Sequence, residues 1–137
     1  RGDDAGTNDP YTLFTVTGDV LVRIWGVCTV DLAGATATVS LGTSNNIAAI
    51  NAATTATDID EGEIWNDSTP VLGVETLANI PGPFVIENGV DIVEAIGTTD
   101  VTSGNIYYIC LWRPVSVGQT AAGVSIEGNV VPAGTQI

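Results

Sequence analysis

Apolar and polar residues alternate with a period of two in several stretches of this chain, and that period predicts β-strands rather than helices. The longest stretch runs from Val20 to Leu32. Val20, Val22, Ile24, Gly26, Cys28, Val30 and Leu32 fall on one face, and Leu21, Arg23, Trp25, Val27, Thr29 and Asp31 on the other. The second face mixes apolar and charged residues, so it predicts packing against a neighbouring element or subunit. Gly26, in mid-strand, predicts a bulge or a close backbone approach. After Ala33-Gly34, the residues Ala35, Ala37, Val39 and Leu41 alternate with Thr36, Thr38 and Ser40, which predicts a hairpin with the preceding strand.

Further strands are predicted at Tyr11 to Thr17, Val71 to Leu77, Phe84 to Glu87, Val90 to Ile96 and Asn105 to Arg113, with Pro114 ending the last. Gly18-Asp19 and Ser103-Gly104 are turn signals. Asn88-Gly89 is a strong hairpin signal between Phe84–Glu87 and Val90–Ile96. Pro81-Gly82-Pro83 predicts a loop or an edge, because Pro cannot donate to a ladder. The stretch 45–53 is ambiguous: Ile47, Ala48, Ala49 and Ile50 suit one short helix capped by Ser44 or Asn45. A Thr/Ala linker follows.

The pattern predicts an all-β, single-domain β-sandwich, with the jelly roll as one form of it and at most one short helical turn. Its boundaries are an N-terminal arm at 1–10, the sandwich at 11–114, and an extended C-terminal tail at 115–137 with one candidate strand at Gly123–Ile126. A chain of 137 residues is long enough to bury roughly two-thirds of its unfolded surface, so it needs neither metal nor disulfide to fold.

Charge narrows the partners. Sixteen acids stand against three arginines, with no Lys or His, for a net charge of -13. Nucleic-acid backbones require cations to displace counterions, and anionic membranes repel such a chain, so neither is an expected partner. No apolar stretch approaches the roughly 20 residues of a membrane-spanning helix. No Met occurs, so a translated precursor would have lost at least its first residue. Arg1-Gly2-Asp3 matches an integrin-binding tripeptide, for which chance is the better account.

The stretch 57–67, TDIDEGEIWND, places five carboxylates in eleven residues. As a calcium loop started at Asp58 it has Asp60 third but Gly62 fifth, which breaks the EF-hand pattern. A looser cage from Asp58, Asp60, Glu61 and Asp67 stands beside the plainer reading, a solvated turn in which Ile59, Ile64 and Trp65 plug the core. Without His or Lys the common general bases and Schiff-base chemistry are missing, no Gly-x-Ser-x-Gly elbow occurs, and no carboxylate pair stands out. The expectation is a protein that is not an enzyme and has no cofactor. Cys28 and Cys110 fit either a disulfide between sheets or free buried thiols. Arg23, Trp25 and Arg113 are candidate interface residues. Trp25, Trp65 and Trp112, with Tyr107 and Tyr108, suit a carbohydrate platform or, more commonly, core and interface packing.

Four phrases carry a resemblance: VLVRIWGVCTVDL at 20–32, ATATVSLGT at 35–43, TATDIDEGEIWNDSTP at 55–70 and IYYICLWRP at 106–114. Together they resemble small virion-associated proteins of tailed bacteriophages, over about residues 11–120. The resemblance implies a β-rich, multimeric protein mounted on the capsid as a decoration or head-fibre component. It carries over no functional residue. The expectation is a viral structural protein on the outer capsid surface, a closed homo-oligomer such as a trimer that binds the major capsid protein and reinforces the shell. The alternatives are a subunit of a filament or tube, and a glycan- or calcium-dependent binding module on a tail or spike.

Overall fold

A computed structural model describes residues 10–115; the predicted arm, the tail and the candidate strand at Gly123–Ile126 lie outside the described residues, apart from Pro10 and Val115. Within them the chain is all-β, with two antiparallel sheets packed as a sandwich. The β-branched stretch at 20–33 makes the central strand of one sheet, β2 (Val20–Ala33), after a short β1 (Tyr11–Phe14). Residues of even number in β2 turn inward as their alternation predicts: Val22, Ile24 and Cys28 are almost fully buried. Val30 is the exception and is exposed, because the register shifts between Cys28 and Ala33. The bulge therefore lies there and not at Gly26. A Cβ at Gly26 would stand 2.7 Å from the Ile106 Cγ2, so this glycine marks a close approach.

The remaining strands are β3 (Thr38–Thr43), β4 (Asn46–Thr55), β5 (Glu63–Trp65), β6 (Val71–Leu72), β7 (Phe84–Ile86), β8 (Ile92–Gly97) and β9 (Ser103–Pro114). One sheet runs β1-β8-β3-β4. The other runs β6-β5-β2-β7, with β9 lying along the second side of β2. The β2–β9 ladder is long, from Val20 opposite Pro114 to Ala33 opposite Ser103. β7 and β5 share the other side of β2, at Val20–Val22 and at Gly26–Val27.

Several expectations are corrected. The ambiguous stretch at 45–53 and the Thr/Ala linker after it form β4, not a helix. Helical turns among the described residues are two short 3-10 turns, Ala56–Asp58 and Leu77–Asn79. The strand expected over 71–77 stops at Leu72. Neither expected hairpin forms. Ala33-Gly34 passes the chain from one sheet to the other, and so does the Asn88-Gly89 turn, where β7 pairs β2 while β8 pairs β1 and β3. The Asn-Gly turn itself is present, with the Val90 N–H donating to the Glu87 carbonyl at 3.1 Å.

That crossover is laced to the one between β1 and β2. The Asn88 N–H donates to Asp19 Oδ1 at 2.9 Å, and the Gly18 N–H donates to Asn88 Oδ1 at 2.7 Å. The Val16 N–H donates to Asp91 Oδ1 at 3.0 Å. Side chains thereby satisfy backbone donors that no ladder reaches. The core between the sheets holds Ile24, Val39, Leu41, Ile59, Trp65 and Ile92, each at or near zero exposure. Side chains of this kind stabilise by roughly 1.5–3 kcal/mol each when fully buried.

Candidate functional site

The register of β2 and β9 decides which side chains share a face. Leu21, Arg23, Trp25 and Val27 stand opposite Arg113, Leu111, Ile109 and Tyr107. Directly opposed residues point to the same side of an antiparallel sheet. The inward rows hold Val22, Ile24 and Cys28, so these eight form the outer rows. The candidate interface residues Arg23, Trp25 and Arg113 are thus brought together on one face, with all three side chains half-buried. Large apolar groups around them remain in water: Tyr107 is 64% exposed, Leu111 50% and, on β7, Val85 68%. Trp112, near the end of β9, is 63% exposed. Exposed apolar groups and two arginines therefore share one face of the sheet.

Among the described residues Arg23 pairs with no carboxylate, contrary to the usual use of a strand-borne Arg. Its Nη1 donates to the carbonyls of Leu77 (2.6 Å) and Ile80 (3.2 Å), filling the gap beside β2 between β5 and β7. The loop it holds is organised from within by Glu75. Asn79 Nδ2 donates to Glu75 Oε1 at 2.9 Å, the Thr76 N–H donates to the same oxygen at 2.8 Å, and Asn66 Nδ2 donates to Oε2 at 3.3 Å. These bonds, the Asn79 side chain's first, hold the Glu75 carboxyl below its ordinary pKa.

The acidic stretch sends two of its three apolar residues into the core. Ile59 and Trp65 are completely buried, whereas Asp58, Asp60, Glu61 and Asp67 are exposed. Ile64 departs from the expectation: β5 alternates, so Ile64 turns away from the core and is only half-buried. Trp65 ties the two sheets together. Its Nε1 donates to Thr54 Oγ1 of β4 at 2.9 Å, and its carbonyl accepts from Asn51 Nδ2 of β4 at 3.1 Å. Its ring meets Tyr108 of β9 edge-on, centroids 6.4 Å apart. Sequence reasoning missed Asn51 and Thr54, because they sit in a run of small residues with no period to mark them.

The calcium candidates Asp58, Asp60 and Asp67 do not gather into a site. Among the described residues no three His, Cys, Asp or Glu side chains are placed to hold a metal ion. Asp67 Oδ1 instead accepts the Thr69 N–H at 2.7 Å, a local turn contact.

Cys28 and Cys110 are free thiols. Both belong to the same sheet, where Cys28 stands opposite Ile106 and Cys110 opposite Ile24, so no bridge joins the two sheets. Burial pushes both thiols above their usual pKa, and for Cys28 the carboxylates of Asp31, Asp60 and Glu63 add to the rise. Of the aromatic residues weighed for a carbohydrate platform, Trp65 is in the core, Tyr108 and Trp25 are half-buried, Trp25 and Tyr107 share the outer face, and Trp112 points to the opposite side of β9 from Tyr107. They make no continuous flat surface.

A cleft of about 180 Å³ opens between the sheets beside Tyr11, Leu32, Glu94, Ile96 and Tyr108. The Tyr108 hydroxyl and the Glu94 carboxylate are hydrogen-bonded there. Sites for drug-sized ligands usually have about 300 Å³ or more, so this cleft is small for one.

No protein-family model, curated protein or solved structure matches this chain.

Proposed function

We propose that the chain is a non-enzymatic structural protein of a virion, one that assembles with copies of itself and decorates or reinforces the outer capsid shell. The observation that carries this reading is the apolar outer face of β2 and β9, with Tyr107, Leu111 and Val85 left in water on an otherwise acidic protein. A free monomer gains nothing from that face, whereas a subunit buries it. The viral setting rests on the four phrases that resemble tailed-phage virion proteins. Light scattering on a sizing column, on residues 1–137, with calcium and then with chelator, tests the reading. The expected result is a fixed small closed oligomer, a trimer, indifferent to calcium. A monomer that changes state only with calcium would overturn it.

One observation favours a second reading. Exposed Trp112 is a feature that a glycan-binding module would share. That reading expects soluble oligosaccharides to quench tryptophan fluorescence, with the quenching lost in Trp112→Ala.

A further inference from the structure

The outer face of β2 and β9 has a sign as well as an apolar character. Two of the chain's three cationic side chains, Arg23 and Arg113, stand on it, and the eight residues of its rows include no Asp or Glu; Asp31, beyond the register shift of β2, accepts the Glu61 N–H at 2.6 Å. Arg23 is engaged by its own loop, whereas among the described residues no carboxylate pairs with Arg113. Burying an unpaired guanidinium is costly, so whatever covers this face must bring a carboxylate to it. A flat two-fold contact of the face with itself would set cation against cation.

The opposite edge of the same sheet has the complementary character. β6 lies there, separated from β9 by β5 and β2, three strand spacings or about 14 Å across the sheet. Leu72 is 71% exposed and Val74 76%. Glu63 stands directly opposite Leu72 in the ladder, Glu61 lies two residues before it, and Glu75 follows Val74 in the chain. One edge of the sheet is therefore apolar and cationic, and the other apolar and acidic.

We infer that these two edges dock on one another between copies: the β9 face of one subunit receives the β6 edge of the next, with Arg113 meeting a carboxylate of its neighbour. The inference rests on the reading of the chain as a self-assembling protein and names the two halves of its interface. Such a contact is head to tail. A closed trimer needs this kind of contact, and a filament results where the rotation fails to close.

Two variants of the full chain test it, Leu111→Asp on the first edge and Leu72→Asp on the second. Both sites are exposed, and circular dichroism checks that each variant is folded. Each variant alone should run as a monomer at a concentration where the wild type is multimeric, because every subunit then lacks one half of the contact. Mixed in equal amounts, the two should form a dimer and stop there, since only one intact contact can be built. Leu72→Asp assembling like the wild type would overturn the inference, leaving some other interface responsible. Leu111→Asp assembling normally would also overturn it, and would mean that the face is covered within the chain or by another partner. So would a mixture that stays monomeric. In each of those cases the wild type still assembles and the broader reading stands. A wild type that is itself monomeric would instead sink both.

Discussion

Thr54→Val isolates the contact that Trp65 makes between the sheets. The substitution keeps the shape of the side chain and removes the acceptor of the indole N–H, which is 2.9 Å away and completely buried. The Thr54 hydroxyl also donates to the Ala52 carbonyl at 3.0 Å, but Ala52 is exposed and water can replace that donor. The orphaned indole N–H is the larger loss, about 1–3 kcal/mol. A domain of this kind has about 5–15 kcal/mol in total. With a urea slope of about 2 kcal/mol per molar, a loss of about 2 kcal/mol lowers the midpoint by about 1 M and leaves the slope unchanged. Trp65→Phe removes the donor from the other side and also leaves a cavity. In the double variant the orphan no longer exists, so the cost of Thr54→Val should be smaller by about 1 kcal/mol or more in the Trp65→Phe background than in the wild type. Urea unfolding followed by circular dichroism, at one fixed protein concentration, reads all four species. Additivity within about 0.5 kcal/mol would refute the bond's role. Thr54→Ser, which keeps the hydroxyl, should restore most of the midpoint.

Gly42→Ala should destabilise by about 3 kcal/mol or more, because the new Cβ would overlap the backbone of Asn46 and Ile47, which cannot rotate away. A thermal melt checks this against Gly97→Ala, which meets only the Thr38 hydroxyl, at 2.7 Å, and should cost less. Burial raises the thiols of Cys28 and Cys110 in the folded chain, so the stability they lend is complete below the ordinary thiol pKa of 9.0 and is lost as pH rises through the higher folded values. Urea midpoints between about pH 8 and pH 10.5 should therefore fall, and fall less in Cys28→Ala. Glu75 has the opposite sign: its pKa is depressed from 4.5, so its contribution is present above that value and lost as pH falls through the folded one. Protection of the Thr76 amide against exchange should fall over that acid range in the wild type and be low at any pH in Glu75→Ala.

The sequence pattern exposed some of this architecture and hid the rest, for identifiable reasons. β2, β3 and most of β9 were legible because β-branched and aromatic residues recur there at every second position, and the burial of Ile59 and Trp65 followed from apolar residues set among acids. β4 was hidden because Ala, Asn and Thr give it no period; pairing with β3 overrides a weak local preference. The crossovers at Ala33-Gly34 and Asn88-Gly89 were misread as hairpins because turn chemistry fixes the local bend and not the partner of the next strand. At the candidate surface, the mixed face of β2 already named Arg23 and Trp25, and the strand predicted at Asn105 to Arg113 named Arg113. The exposure of Leu72 and Val74 was not readable, since it depends on where β6 ends and on the loop that Glu75 and Arg23 hold.

The placement of β2 bears on how the chain must fold. This strand is made early, yet Ile24 pairs with Cys110, so its long ladder has to wait until almost all of the described chain has left the ribosome. Until then only the distant β5 and β7, themselves short, can cover its other side. Pairings so far apart in sequence make for slow folding and leave an apolar strand open during synthesis. Charge repulsion at -13 opposes association of nascent chains through that open strand.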